Sequence, residues 1–390
     1  MVTRRELEHI LKKLDSFITC ESYSGFDPYD ALNTSNFVLV NLARNRYLRL
    51  LMIQGLKRIP LNLRVFLGIR KERNPKAIAL FLSSLVDLYS RTRDEIYLKR
   101  ATELADWLLQ ANSSGSEQFY AWGYNFPWQS SAFYLPRNYP NMVATTYTAN
   151  ALLDLAAFIP NENYKQAAYM AAKYILNKML RKSDGTTWFS YTPLDHTKVV
   201  NINFMGAYLL ARAGVQFNDQ YMIDLSKAIV SFAVRTQNED GSWPYSIAPE
   251  KRWVDNFHTG FNLEFLHKYQ RTLQINDFRE HLEKGFEYFD KNMVTREGVP
   301  KYYDDSLYPI DIHSCAQSII TYIVCKNLSQ ISKNRAEQVL DWTVNNMFNK
   351  NGGYFYYQKY KYYTIRIPYM RWAQAWMYRA LTLFLLDGSY

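Results

Sequence analysis

The sequence predicts an all-α fold, an (α/α)6 toroid with short β-hairpins at one rim, and three observations carry that expectation. Helical hairpins recur along the chain. One helix of each hairpin is apolar on nearly every face, and six segments share that character. The turns that close the hairpins repeat a polar, often glycine-containing stretch followed by aromatic residues. With 390 residues, 48% hydrophobic and 21% charged, the chain is long enough for a large core and reads as one domain spanning 1–390. Within it, 1–74 supply N-terminal helices and a basic loop that pack on a toroid of 75–390.

Taken in order, "MVTRRELEHILKKLDSF" predicts an amphipathic helix whose charges run throughout, so it lacks the apolar core of a secretory signal. No later run reaches the roughly 18 apolar residues that a membrane-crossing helix needs, so no transmembrane segment is expected and the expected location is cytoplasmic. "GLKRIPLNLRVFLGIRKERNPK", residues 55–76, is a dense basic stretch. The six apolar helices follow at 75–90, 142–158, 199–215, 255–271, 310–326 and 368–385. Burial on both sides places them in an inner ring, whereas the companion helices carry a polar stripe and face water. Trp122, Trp188, Trp243, Tyr302 and Tyr354 mark the turns, 66, 55, 59 and 52 residues apart. The "TTWFSY" and "GGYFYY" pieces beside them supply the β-hairpins. An open α-solenoid would use the same helix pairs, but it would not demand a count near six.

Inner helices of such a ring all run in one direction, so their first turns gather at one end and form a funnel. Tyr147, Asn203, His258 and His313 are separated by 56, 55 and 55 residues, and Asp255 and Asp311 by 56, which predicts equivalent positions on successive walls. Taken alone, Asp255 in "RWVDNFHTGF" is an ordinary helix cap and His258 an ordinary packed side chain. The repeat makes them part of a ring of polar groups. "YAWGYNFPWQSSAFYLPRNYPN", residues 120–141, adds Trp122, Tyr124, Trp128 and Phe133 as a stacking platform for sugar C–H faces or for bases.

The excess of 46 Lys and Arg over 36 Asp and Glu, a net charge of +10, suits a polyanionic partner such as an acidic glycan, an anionic membrane surface or nucleic acid. No nucleic-acid module accompanies it, so nucleic acid is not expected. Cys20, Cys315 and Cys325 have no paired-ligand spacing, which argues against disulfides and a zinc site. Asp255 with His258 and Asp311 with His313 could ligate a metal in principle, but the set is too small, and neither a metal nor a cofactor is expected. No phosphate loop, serine elbow or Cys–His nucleophile signature is present.

Three resemblances follow from particular stretches. "KAIVSFAVRTQNEDGSW" is similar to the Gln-Trp repeat of squalene and terpene cyclases, present in one imperfect copy and read as a structural tie. "WGYNFPWQ", "NMVATTYTANALLD", "DNFHTGFNLE", "PKYYDDSLYPIDIH" and "IPYMRWAQAWM" resemble a family of six-hairpin proteins encoded among bacterial and archaeal exopolysaccharide and capsule synthesis genes, often mislabelled as aminolevulinate dehydratase. More distantly, "SWPYSIAPEKRWVDNFHTGFNLEFL" resembles the C-terminal helical domain of D-glucuronyl C5-epimerase, with Phe257 where that motif has tyrosine. N-acylglucosamine 2-epimerases and unsaturated glucuronyl hydrolases share the toroid.

These resemblances imply sugar chemistry and leave three readings open. The first is proton abstraction next to a uronate carboxylate, as in a C5-epimerase or lyase. His258 and His313 would then transfer protons, with Tyr245, Tyr303 or Tyr308 on the opposite face and Arg371 or Arg137 on the carboxylate. The second is a glycoside hydrolase using Asp255 and Asp311, which need roughly 5 to 9.5 Å between them. The third is a non-catalytic glycan-binding or scaffold protein. Trp122, Tyr124, Trp128, Tyr147, Asn203, Trp243, Trp372 and Gln374 complete the expected binding surface. The expected partner is an acidic or N-acetylated glycan or its activated precursor, with peripheral contact to the polysaccharide synthesis machinery.

Overall fold

A computed structural model describes residues 2–130 and 133–387. The chain opens with α1 (Arg4–Cys20), α2 (Phe37–Leu42) and α3 (Arg46–Arg58). Hairpins then follow as α4 (Pro75–Thr92) with α5 (Glu95–Gln110), α6 (Met142–Ala156) with α7 (Glu162–Lys178), and α8 (Val200–Phe217) with α9 (Gln220–Val234). They continue as α10 (Asn256–Leu273) with α11 (Arg279–Asn292) and α12 (Ile312–Val324) with α13 (Ser332–Met347), ending in α14 (Ala375–Leu386). Each even-numbered helix from α4 to α14 packs on the next, and α14 packs back on α4, so the ring closes. Closure rules out the open solenoid.

The inner helices are buried on nearly every face because they are apolar on most of their faces. α4 shows the local logic: Asn74 caps it by accepting the Lys76 N–H, Pro75 occupies the first helical position, and Arg93 ends it in a left-handed conformation. Gly260 lets α10 approach α12, since a Cβ there would meet the Gln317 side chain at 2.5 Å. α1 packs on α14 and takes the sixth outer position, with Leu7, Leu14 and Ile18 in the common core.

The predicted inner segments match the observed helices to within about two residues at most ends. The exception is the sixth, where Met370–Gln374 form a π-helical turn ahead of α14. Short antiparallel strands decorate the rim. They are β1 (Trp128–Gln129) with β2 (Tyr134–Leu135), β3 (Leu180–Ser183) with β4 (Thr186–Phe189), and β5 (Ile310–Asp311), followed by β6 (Phe348–Asn349) with β7 (Tyr354–Phe355). Of the last two, β8 (Gln358–Lys359) pairs with both β5 and β9 (Thr364–Ile365), the central strand of a three-stranded sheet. Among the described residues no helix is long and apolar enough to cross a membrane.

Candidate active site

The site is built by the first turns of the inner ring. The residues at the six caps are Asn74, Asn141, Val199, Asp255, Asp311 and Tyr369. Two residues in from each stand Lys76, Val143, Asn201, Phe257, His313 and Arg371, and all six line one cavity of about 210 Å³. A helix turns by about 100° per residue, so parallel helices in a ring present the same cap-relative position to the axis. The connecting segments add aromatic walls, among them Tyr29, Tyr124, Trp128, Tyr191, Tyr245 and Trp253.

At the entrance of α10, Asp255 caps the helix and holds His258, one residue beyond the axial position. Its Oδ1 accepts the His258 backbone N–H at 3.0 Å, and its Oδ2 contacts His258 Nδ1 at 2.6 Å. The carboxylate is buried while the imidazole keeps partial access to solvent. Donation from Nδ1–H leaves Nε2 as the acceptor. Tyr245 stacks on Trp253 with centroids 4.7 Å apart and meets the His258 ring edge-on at 4.8 Å. Burial raises the Tyr245 hydroxyl above its ordinary range, so it stays protonated.

His313 sits differently, buried in an aromatic box. Phe257 stacks on it at 4.6 Å, Trp376 at 4.4 Å, and Trp372 meets it edge-on at 4.8 Å. Neither ring nitrogen has a partner among the described residues. Burial, with the nearby charges of Lys76 and Arg371, pushes its pKa well below the ordinary range, so the ring is neutral. Lys76 shares the floor. Its Nζ lies 4.8 Å from the Trp376 ring centre and 5.0 Å from that of Tyr147, and it forms no ion pair among the described residues. Burial and then the Arg371 charge push its pKa well down.

Arg371 is compensated. Burial opposes its charge, but its Nε and Nη2 donate to the Asp27 carboxylate at 2.6 and 2.8 Å, and that pair keeps it protonated. Tyr124 and Trp372 flank the guanidinium. Of the two basic side chains, Lys76 and Arg371, that line this cavity among the described residues, Lys76 is therefore the one left without a carboxylate, and the sequence did not single it out. Its signal was the one charge among residues 75–86, the largely apolar first three turns of α4.

The cavity gathers Tyr124, Trp128, Tyr245, Asp255, His258, His313, Arg371 and Trp372 from the predicted set, together with Tyr303. It does not gather the others, and each has a physical reason. Trp122 is in the core, its indole donating to the Leu108 carbonyl at 2.7 Å. Trp243 is buried against Phe204. Asn203 clamps the Phe189 N–H and the Val199 carbonyl, tying β4 to α8. Gln374 clamps both backbone groups of Phe355 in the same way.

Tyr147 reaches below the floor, where it lines a second, smaller cavity with Glu264 and Lys268. Arg137 pairs outside with Glu72 at 2.8 Å, and Tyr308 is exposed. Asp311 caps α12 but turns away from the axis, accepting from the His313 N–H, Gln358 Nε2 and Trp372 Nε1. Burial pushes its pKa up to about 6 against those hydrogen bonds. The Gln-Trp stretch is a tie, with Gln237 Nε2 donating across to the His281 carbonyl of α11.

Residues 76–234, the run from α4 to α9, match the sequence profile of Glycosyl Hydrolase Family 88. That match supports an enzyme acting on carbohydrates. Curated proteins give no sequence match. Three solved structures have the same fold. A D-mannose isomerase superposes with a TM-score of 0.67 at 10% identity, over 100% of this chain and 99% of that one. The cellobiose 2-epimerase of Bacillus thermoamylovorans gives 0.66 at 11%, over 81% and 88%. An unsaturated glucuronyl hydrolase specific for heparin gives 0.64 at 11%, over 98% and 96%.

Proposed function

We propose that the chain is a carbohydrate-active enzyme that abstracts a proton next to the carboxylate of a uronate, in the manner of a C5-epimerase or lyase. The observation that carries this reading is one cavity holding both a carboxylate-bound imidazole, His258 on Asp255, and an unpaired lysine, Lys76. His258 Nε2 takes the proton, and Asp255 fixes the tautomer and balances the charge that develops on the ring. The Lys76 amine, whose protonated form an incoming carboxylate favours, pairs with the substrate carboxylate and gathers the charge of the enolate, a role expected of Arg371, whose guanidinium Asp27 already holds. His313 offers a neutral ring to the sugar hydroxyls. β-Elimination also needs a proton for the departing C4 oxygen, and the His258 imidazolium returns the abstracted one as the C4–O bond breaks. Epimerisation adds a proton donor on the other ring face, and Tyr245 is the predicted proton carrier proposed for it.

The cavity's size supports a small target. About 210 Å³ is below the roughly 300–1,000 Å³ of pockets for larger ligands, so a single uronate unit, free or at a chain end, fits better than the interior of a polymer. The N-terminal segment belongs to the same functional unit in this reading, because Tyr29 lines the cavity and Asp27 holds Arg371.

The family match favours a second reading, hydrolysis. Asp255 is the one carboxylate lining the cavity among the described residues, so the expected pair with Asp311 does not serve it. Incubation with free and chain-terminal uronates in D2O separates the readings. Deuterium at C5 or a new unsaturated product supports proton abstraction, and new reducing ends without either support hydrolysis. Binding with no conversion leaves a glycan-binding protein of polysaccharide synthesis.

A further inference from the structure

We infer that the face formed by α2, α3 and the segment 59–66 docks on an anionic lipid bilayer. From 31 to 71 the chain carries eight Lys and Arg and no Asp or Glu, the most one-sided stretch of charge in the sequence, ahead of 342–386 with six and none. The same segment leaves its large apolar side chains outside. α2 buries none of its residues. Phe37 is 80% exposed, Tyr47 75% and Phe66 84%, with Val38, Leu51, Leu61 and Val65 also exposed around them. Patches of this kind on a protein surface mark an interaction site.

Three of the basic residues hold the face in place. Arg64 is buried on Asp30 at 2.7 Å, Lys57 donates to the Tyr29 hydroxyl at 2.9 Å, and Arg49 Nε donates to Gln129 at 2.8 Å. Arg44, Arg46 and Arg58 lie on the exposed side among the apolar residues, Arg58 also donating to Gln54 at 2.8 Å, while beyond the face Arg70 is exposed and Lys71 pairs with Glu21. Apolar side chains that project outward, interspersed with arginines, match the boundary between lipid headgroups and acyl chains, where both kinds of group are satisfied. A second copy of the chain is disfavoured as occupant, since it would bring two such basic faces together. Tyr29 both accepts from Lys57 and lines the cavity, so docking would set the cavity beside the bilayer. On the carbohydrate reading, the substrate would then be a sugar carried at that surface.

Docking is tested on the full chain with no sugar present, so its failure and the failure of the carbohydrate reading are distinguishable. Cosedimentation should show binding to phosphatidylglycerol–phosphatidylcholine vesicles, little to phosphatidylcholine alone, and release by salt. Arg44→Gln and Arg58→Gln should each weaken binding roughly five-fold. Phe37→Ser with Phe66→Ser should weaken it more than about ten-fold at an unchanged Tm, since neither side chain supports the core. Absence of binding to the anionic vesicles, or equal binding by these variants, overturns the proposal. So does a dimer, or a complex with an acidic protein, that the double serine variant dissolves while vesicle binding persists.

Discussion

The entrances of α10 and α12 begin alike and end as opposites. Each has an aspartate at the cap and a histidine in the first turn, one repeat apart. Asp255 has two residues between it and His258, and that spacing brings the imidazole back over the cap, to 2.6 Å from the carboxylate. Asp311 has one residue before His313, so the ring points about 100° away, into the barrel axis. There it loses the carboxylate, which turns to Gln358 and Trp372 instead. One residue of spacing thus separates an imidazole bound to a carboxylate from one without a hydrogen-bond partner among the described residues. The two histidines are predicted to differ in every measurable way.

The largest difference should be in turnover. His258→Gln is expected to lower the rate of C5–H exchange in D2O by roughly 100-fold to 10,000-fold, the usual contribution of a general base, with Tm nearly unchanged. An equal loss from His313→Gln would erase the distinction between the two entrances. Lys76→Met sharpens the electrostatic side. Removing the basic group of the cavity that has no carboxylate among the described residues should weaken binding of a uronate by about 100-fold, and binding of the matching neutral sugar hardly at all. Titration calorimetry reads both, and a parallel loss for the two sugars would assign Lys76 to packing.

Asp311→Asn tests the buried carboxyl through stability. Its pKa is pushed up to about 6 in the folded chain, from about 3.8 when unfolded. A raised carboxyl contributes stability that is full below the unfolded pKa and is lost as pH rises through the folded one. Wild type should therefore lose ground to Asp311→Asn between about pH 4 and 6, by up to about 3 kcal/mol. Thermal midpoints across that window would show it. A constant difference between the two proteins would mean that Asp311 is ionised throughout.

The ring was legible because burial leaves a direct mark on composition. Helices apolar on nearly every face, repeated six times, leave few other architectures, and Asp255 and Asp311 were readable as caps. The site was less legible because the rule that builds it is positional. The six axial residues are Lys76, Val143, Asn201, Phe257, His313 and Arg371, which share no chemistry, so no repeated residue type reveals them. Aligning Tyr147, Asn203, His258 and His313 by spacing joined the sixth, fourth, third and second positions after their caps. Trp122 and Trp243 follow polar turns and so resemble rim aromatics, yet the chain returns to the core there. The Asp27–Arg371 pair spans 344 residues, and no local pattern announces it.

The smallest expected effect separates the two histidines by stability alone. A buried polar group without a partner costs about 1–3 kcal/mol, and His313 holds two such nitrogens among Phe257, Trp372 and Trp376. Phenylalanine would keep the stacking and remove the cost, and the adjoining cavity gives its larger ring room. His313→Phe should therefore raise stability by about 1 kcal/mol while it lowers activity, the combination expected where a residue is kept for function against the interest of the fold. His258→Phe should do the reverse to stability, because it strips the buried Asp255 carboxylate of its partner. Denaturant midpoints for the two variants give the comparison directly. If both fall together, His313 is held by contacts as strong as those of His258, and the contrast between the two entrances is one of geometry without energetic consequence.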